Sequence, residues 1–298
     1  MGPDATRRAT VPGYAGRPTT KAPNWHAPVT LDLLFNNLST GLFLVMAVGE
    51  LAAPASFRPL GSVAYPLALL FLIGDLVCLI IDLGDPARFH HMLRVWKPSS
   101  PMSLGTWVLT AYSVPVTLLT LMSFLPRTGE GVETVRQVFL VLGLALAVGA
   151  AVYKGVLFST TAQRGWGDAR WLGGYLINSA LVLGGGEVLL IAVAKGRAEL
   201  VGPLRVALEA LLVLNLVALA LLLADIRLPL SQARDSKILT AIGLFVVLAG
   251  ILGPLGLLLI DRPLAWNLAL LLVLLGAIAV RHEMVRLPHA LGEAAGGG

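Results

Sequence analysis

The sequence predicts an all-α integral membrane protein with eight transmembrane helices, and three observations carry that prediction. The chain is 56% hydrophobic and 13% charged, where an ordinary soluble domain carries roughly 25% charged residues. Its mean hydropathy of +0.81 leaves too little polar surface to face water. The apolar residues are also grouped into eight stretches, near 33–53, 63–83, 104–125, 135–158, 171–194, 203–224, 238–260 and 264–281. Most of these approach the ~20 residues that cross a bilayer core.

Residues 1–28 hold Pro, Gly, Thr and Arg with no apolar run, which predicts an extended N-terminal arm and not a cleavable leader. The eight helices then divide at about residue 160. Helix 1 contains "NNLSTG" followed by "GEL", and helix 5 contains "NSALVLGGGEV". Helix 2 ends Asp82-x-x-x-Pro86 and helix 6 ends Asp225-x-x-x-Pro229. The offsets are 137 for Glu50 and Glu187, and 143 for Asp82 and Asp225. This echo predicts two four-helix bundles, at 29–160 and 161–290, followed by a disordered tail at 291–298. Four helices per half make the repeat parallel and not inverted.

If the helices alternate, fifteen of the 22 Lys and Arg residues fall on the side that holds both termini. The positive-inside rule makes that side cytoplasmic, in a multi-pass protein of the cell's inner (plasma) membrane. A docking surface for an acidic partner would produce the same excess. The surrounding lipid is the expected medium, and nothing in the pattern points to nucleic acid. One cysteine, Cys78, is too few for an iron–sulfur cluster held by this chain alone, which takes about four thiolates. The five histidines lie at or beyond helix ends, where they cannot serve as axial ligands of a transmembrane haem. No other metal-ligand pattern is apparent, and no residue is assigned as catalytic. The many glycines lie within apolar spans, where they permit close helix packing.

Ionisable groups in a bilayer cost at least ~2.5–3.5 kcal/mol each, so they mark where function is to be sought. In helix 1, Asp32, Asn36 and Thr40 share a face. Glu50 lies eighteen residues after Asp32, five whole turns, and returns to that face. Asp32 also reads as a helix N-cap, and Asn36 as glue between helices. In helix 2, Asp75 and Asp82 share a face. Asp75 is near mid-helix, where a carboxylate must be protonated or paired. Helix 5 carries Asn178 and Glu187, and helix 6 carries Glu209, Asn215 and Asp225. Asp75, Asp82, Glu50, Glu187 and Asp225 are the candidate proton relay. Tyr153 and Lys154 end helix 4, where Lys154 reads as an anchor snorkelling to the headgroups.

The stretch from Ile81 to Trp107, "IDLGDPARFHHMLRVWKPSSPMSLGTW", joins helices 2 and 3. Gly84 and Pro86 turn the chain. Arg88 can pair with Asp82 or Asp85 as a structural clamp, His90 and His91 are of the residue type suited to proton delivery, and Ser103 is the expected cap of helix 3. "DLGDPARFHHML…PSSPMSLGTW" resembles the corresponding segment of the polysulfide reductase membrane subunits, the NrfD-like quinone-interacting anchors. "AYSVP" (111–115), "YKGVLFST…W" (153–166) and "LINSALVLGGGE" (176–187) add to the resemblance. It implies a membrane anchor of a respiratory oxidoreductase complex, holding no redox metal itself. An iron–sulfur subunit would dock on it and exchange electrons with menaquinone or a similar quinone, and a molybdopterin subunit would lie beyond. The resemblance also places the quinone near the start of helix 1, which makes Asn36, Asn37, His91 and Tyr153 the candidate ligands. An independent ion- or proton-coupled secondary transporter, and a passive anchor without a quinone site, are the alternatives.

Overall fold

The structure is a computed structural model and describes residues 25, 27–125, 130–233 and 235–296, with side chains through Leu291. Most of the expected N-terminal arm lies outside the described residues, as does the very end of the expected tail. The elements, in order, are α1 (Ala27–Ala52), the short α2 (Pro54–Phe57), α3 (Gly61–Ile81), α4 (Pro101–Phe124), α5 (Glu130–Ser159) and α6 (Leu172–Ala194). They are followed by α7 (Ala198–Gln232), α8 (Ser236–Val247), α9 (Gly253–Leu258) and α10 (Pro263–Gly296). Tight 3₁₀ turns at Arg58–Leu60 and Pro86–Leu93 precede α3 and α4. Eight segments are long and apolar enough to cross a bilayer, with α2 to α3 making one and α8 to α9 another. Each overlaps one of the eight stretches read from the sequence, so the chain is a multi-pass membrane protein.

The helices outrun the apolar stretches. α7 has 35 residues, about 52 Å at ~1.5 Å per residue, far more than a hydrocarbon core needs. Hydropathy marks where hydrocarbon ends, whereas backbone hydrogen bonding continues until a cap or breaker stops it. The same reason moves two expected caps. α1 begins at Ala27, so Asp32 lies inside it and is not its N-cap. Ser100, and not Ser103, caps α4, its Oγ accepting from the Ser103 amide at 3.4 Å with Pro101 behind it. Ser103 Oγ instead donates to Val95 O (3.2 Å) and accepts from Lys97 N (3.1 Å), closing the connection onto the helix.

α1 and α6 are the inner pair. Their membrane windows are 78% and 72% buried, against 33% or less for the other six. They touch backbone to backbone. A Cβ on Gly41 would lie 1.9 Å from Ala180 O, and one on Gly184 would lie 2.0 Å from the Gly41 carbonyl carbon. α1, α3, α4 and α5 close a ring in which α1 and α4 each pack on α3 and α5. On the other side of α1, α6 packs on α7, and α10 packs on α8, α9 and both inner helices. Between α8 and α9 the turns widen into a π-turn at Leu248–Leu252 just before Pro254, which has no N–H to give a regular ladder.

The ring of Trp25 stacks on Trp166 (5.0 Å), and its carbonyl lies 3.3 Å from His289 Nε2. The start of α1, the α5–α6 connection and the end of α10 therefore meet at one face, called here the basic face.

Candidate functional site

The site is built on one antiparallel register between α1 and α5. Asp32 on α1 faces Lys154 on α5, with Nζ 2.7 Å from Asp32 Oδ1. Counting eleven residues up α1 and eleven down α5 brings Phe43 opposite Gly143. Counting eighteen brings Glu50 opposite Arg136, whose Nε donates to the Glu50 carboxylate and whose Nη2 donates to Oε2 at 2.9 Å. Eighteen residues are five turns, so each helix holds its two charges on one stripe. One helix carries both acids and the other both bases.

At the basic end the pair becomes a triad. Lys154 Nζ also donates to Asp75 Oδ1 on α3 and to the Asp32 carbonyl at 3.0 Å. Asn36, one turn above Asp32, donates from Nδ2 to Asp75 Oδ2 at 3.1 Å. Lys154 is 2% exposed and Asp75 0%. Lys154 is therefore not a snorkelling anchor. It turns inward, where two carboxylates make a cation the fitting occupant. Asn36 Oδ1 is buried and accepts no hydrogen bond from the described residues, and Thr30 Oγ1 nearby in sequence likewise has no partner among them. The Tyr153 ring lies 5.7 Å from Lys154 Nζ and packs where Gly105 of α4 lacks a side chain; a Cβ there would fall 2.3 Å from the ring.

Higher in the ring, Tyr112 OH of α4 donates to Ser39 O (3.0 Å), and Ser39 Oγ donates to Ala68 O (2.8 Å). Thr40 Oγ1 donates to Asn36 O (2.7 Å). At the far end Glu50 also accepts from Tyr65 OH (2.8 Å) and Arg58 Nε (3.3 Å), and Arg58 reaches on to Glu133 at the surface.

The structure places the expected ligands in three different settings. Asn36 and Tyr153 gather round Lys154. Asn37 faces the other side of α1, where Oδ1 accepts from Arg281 of α10. Arg281 is 1% exposed. It also donates to Ser179 Oγ (3.1 Å), Leu33 O (3.4 Å) and Ala277 O (2.8 Å), so its described hydrogen-bond acceptors are all neutral. His91 lies on the exposed Pro86–Leu93 turn, edge-on to His90 at 4.4 Å. Arg88 pairs with Asp85 at 2.9 Å, both exposed. Of the relay acids, Asp75 and Glu50 lie within the ring and Asp82 at the end of α3. Asp225 Oδ2 accepts the Trp171 amide at the start of α6 (2.8 Å). Both carboxylate oxygens of Glu187 are buried and make no hydrogen bond to the described residues.

Lys154, Arg136 and Arg281 do not stand out in the sequence as site residues, because each sits near the end of an apolar stretch, where a cation ordinarily faces headgroups. A signal was present in the eighteen-residue spacing of Arg136 and Lys154, which repeats that of Asp32 and Glu50.

An all-helical membrane ring with ionisable groups at both ends defines a class, and comparison with known proteins places the chain in it. Residues 18–287 match the NrfD polysulphide reductase family, and the chain belongs to that family. It is similar to a selenate reductase subunit of Mesobacillus selenatarsenatis strain SF-1, 29% identical over 100 residues. That match takes in 34% of this chain and 23% of the relative's length. With its eight crossings, the chain is a membrane protein of that family.

Proposed function

We propose that this chain is the membrane anchor of a respiratory oxidoreductase and binds a quinone or quinol, such as menaquinone, beside Lys154. It exchanges electrons there with an iron–sulfur subunit docked on the basic face, with a molybdopterin subunit beyond. The protein resides in the plasma membrane with the basic face cytoplasmic.

The observation that carries the reading is Asn36 Oδ1, a buried acceptor with no donor among the described residues. Such an atom costs about 1–3 kcal/mol unless something hydrogen-bonds to it, and a quinol hydroxyl is a donor of the right kind. A bound quinol supplies two electrons and two protons from one lipid-soluble molecule. Asn36 orients the ligand hydroxyl, its own amide being fixed by Asp75. Lys154 and the two aspartates form a group in which a proton can be held or passed at hydrogen-bond distance. Tyr153 provides an aromatic wall, and Gly105 gives that ring its place. The relative's role as a reductase subunit supports placing the chain in such a complex.

The test uses the intact complex purified from its native membrane. Asn36→Leu is expected to lower quinol-driven turnover by about 10²-fold or more, the range of a lost acid–base or orienting group. Turnover driven by a soluble dye at the partner protein, and the stoichiometry of the complex, should not change. Binding of a fluorescent quinol analogue should weaken in parallel. Unchanged quinol turnover and analogue binding in a correctly assembled variant would refute the site.

A further inference from the structure

Along the ring's axis the polar side chains stop and then begin again. From the basic face they run through Asp32, Asn36, Ser39 and Tyr112. From the opposite face they run through Glu133, Arg58, Glu50 and Tyr65. Between Tyr112 and Tyr65 lies the ring of Phe43, edge-on to both, with centroids 5.4 Å and 6.0 Å away. Phe43 is 0% exposed. Its ring is seated where Gly143 of α5 has no side chain, and a Cβ on that glycine would fall 2.2 Å from it. α1, α3 and α5 carry polar residues on both sides of Phe43, Asp32, Asp75 and Lys154 on one and Glu50, Tyr65 and Arg136 on the other, and a benzene ring can neither donate nor accept the proton that its neighbours can.

We propose that α1, α3, α4 and α5 enclose a proton path broken at Phe43, so that the Lys154 site exchanges protons with the basic face alone. The far half, from Tyr65 to Glu133, is the other end of the same path, closed off while the ring is in place. This goes beyond the quinone reading and is tested without a quinone.

The full-length chain is reconstituted in vesicles holding a trapped pH-sensitive dye, and proton flux is read after an external acid pulse with a potassium–valinomycin clamp. The native protein and Phe43→Leu, which keeps an apolar plug, are expected to be as tight as empty vesicles. Phe43→Ser is expected to raise proton flux about tenfold by letting water join the two halves. Adding Tyr112→Phe, which removes the hydroxyl next to the gap, should take most of that increase away. Gly143→Ala displaces the same ring from the opposite helix and carries the same expectation should Phe43→Ser fail to assemble. Flux at the native level in either variant, with helical content and a cooperative thermal transition retained, overturns the proposal. A leak that Tyr112→Phe leaves untouched overturns it as well, since the defect would then be general. The quinol-analogue binding at Asn36 is a separate measurement, so failure here leaves that reading standing.

Discussion

Lys154 shows how much a single side chain can mislead when its partners are distant in sequence. Read alone, it is a lysine in the last turns of an apolar helix, and such lysines ordinarily reach for headgroups. Its partners are Asp32 and Asp75, 122 and 79 residues away. Removing one member of a buried ion cluster leaves the others uncompensated, so Lys154→Met should cost about 3–5 kcal/mol. Thermal unfolding in detergent measures this, and Asp75→Asn added to Lys154→Met should recover part of the loss through their coupling. Equal additive losses would mean that the two do not interact. Glu187 predicts the opposite sign. Its carboxylate is buried without a hydrogen-bond partner among the described residues, so Glu187→Leu should gain about 1–3 kcal/mol. A lowered thermal midpoint would mean that the carboxylate is stabilised by a group absent from these contacts. Asn36, by contrast, was legible as a buried amide on a polar stripe. Its division of labour with Asn37 was not, because adjacent helical residues point about 100° apart and meet different neighbours.

At the scale of the element, the charge stripes are readable but their pairing is not. Asp32 and Glu50 on one helix, and Arg136 and Lys154 on another, each stand eighteen apart. The match fixes which helices could pair once antiparallel packing is given, and nothing in local sequence gives that packing. Glycine behaves similarly. Gly184 and Gly202 are both helical, but the first sits backbone to backbone against Gly41 while the second has open space around it. Gly184→Ala is expected to destabilise by about 1–3 kcal/mol through overpacking. Gly202→Ala should be neutral or stabilise by about 0.5–1 kcal/mol, the helix-propensity difference. Similar thermal midpoints for the two would refute the close crossing.

For the whole molecule, eight crossings place the α3–α4 and α6–α7 connections on opposite faces. With the buried Cys78 replaced by alanine, cysteines introduced at Val95 and Lys195 should react with an impermeant maleimide from opposite sides. In intact cells, Lys195→Cys should label and Val95→Cys should not if the basic face is cytoplasmic. Labelling of both from one side would overturn the topology.

The sequence by itself determined the solvent, the number of crossings and the residue types able to carry charge into the bilayer. Those follow from composition and from the length of apolar runs, which depend on each segment alone. Only the tertiary structure decided that Lys154 turns inward, that Arg136 closes on Glu50, and that a phenylalanine separates two polar half-columns. The physical reason is that a buried charge is stabilised by whatever faces it. Facing is set by the packing of helices whose paired residues stand 79 to 122 positions apart, a property no single stretch of chain contains.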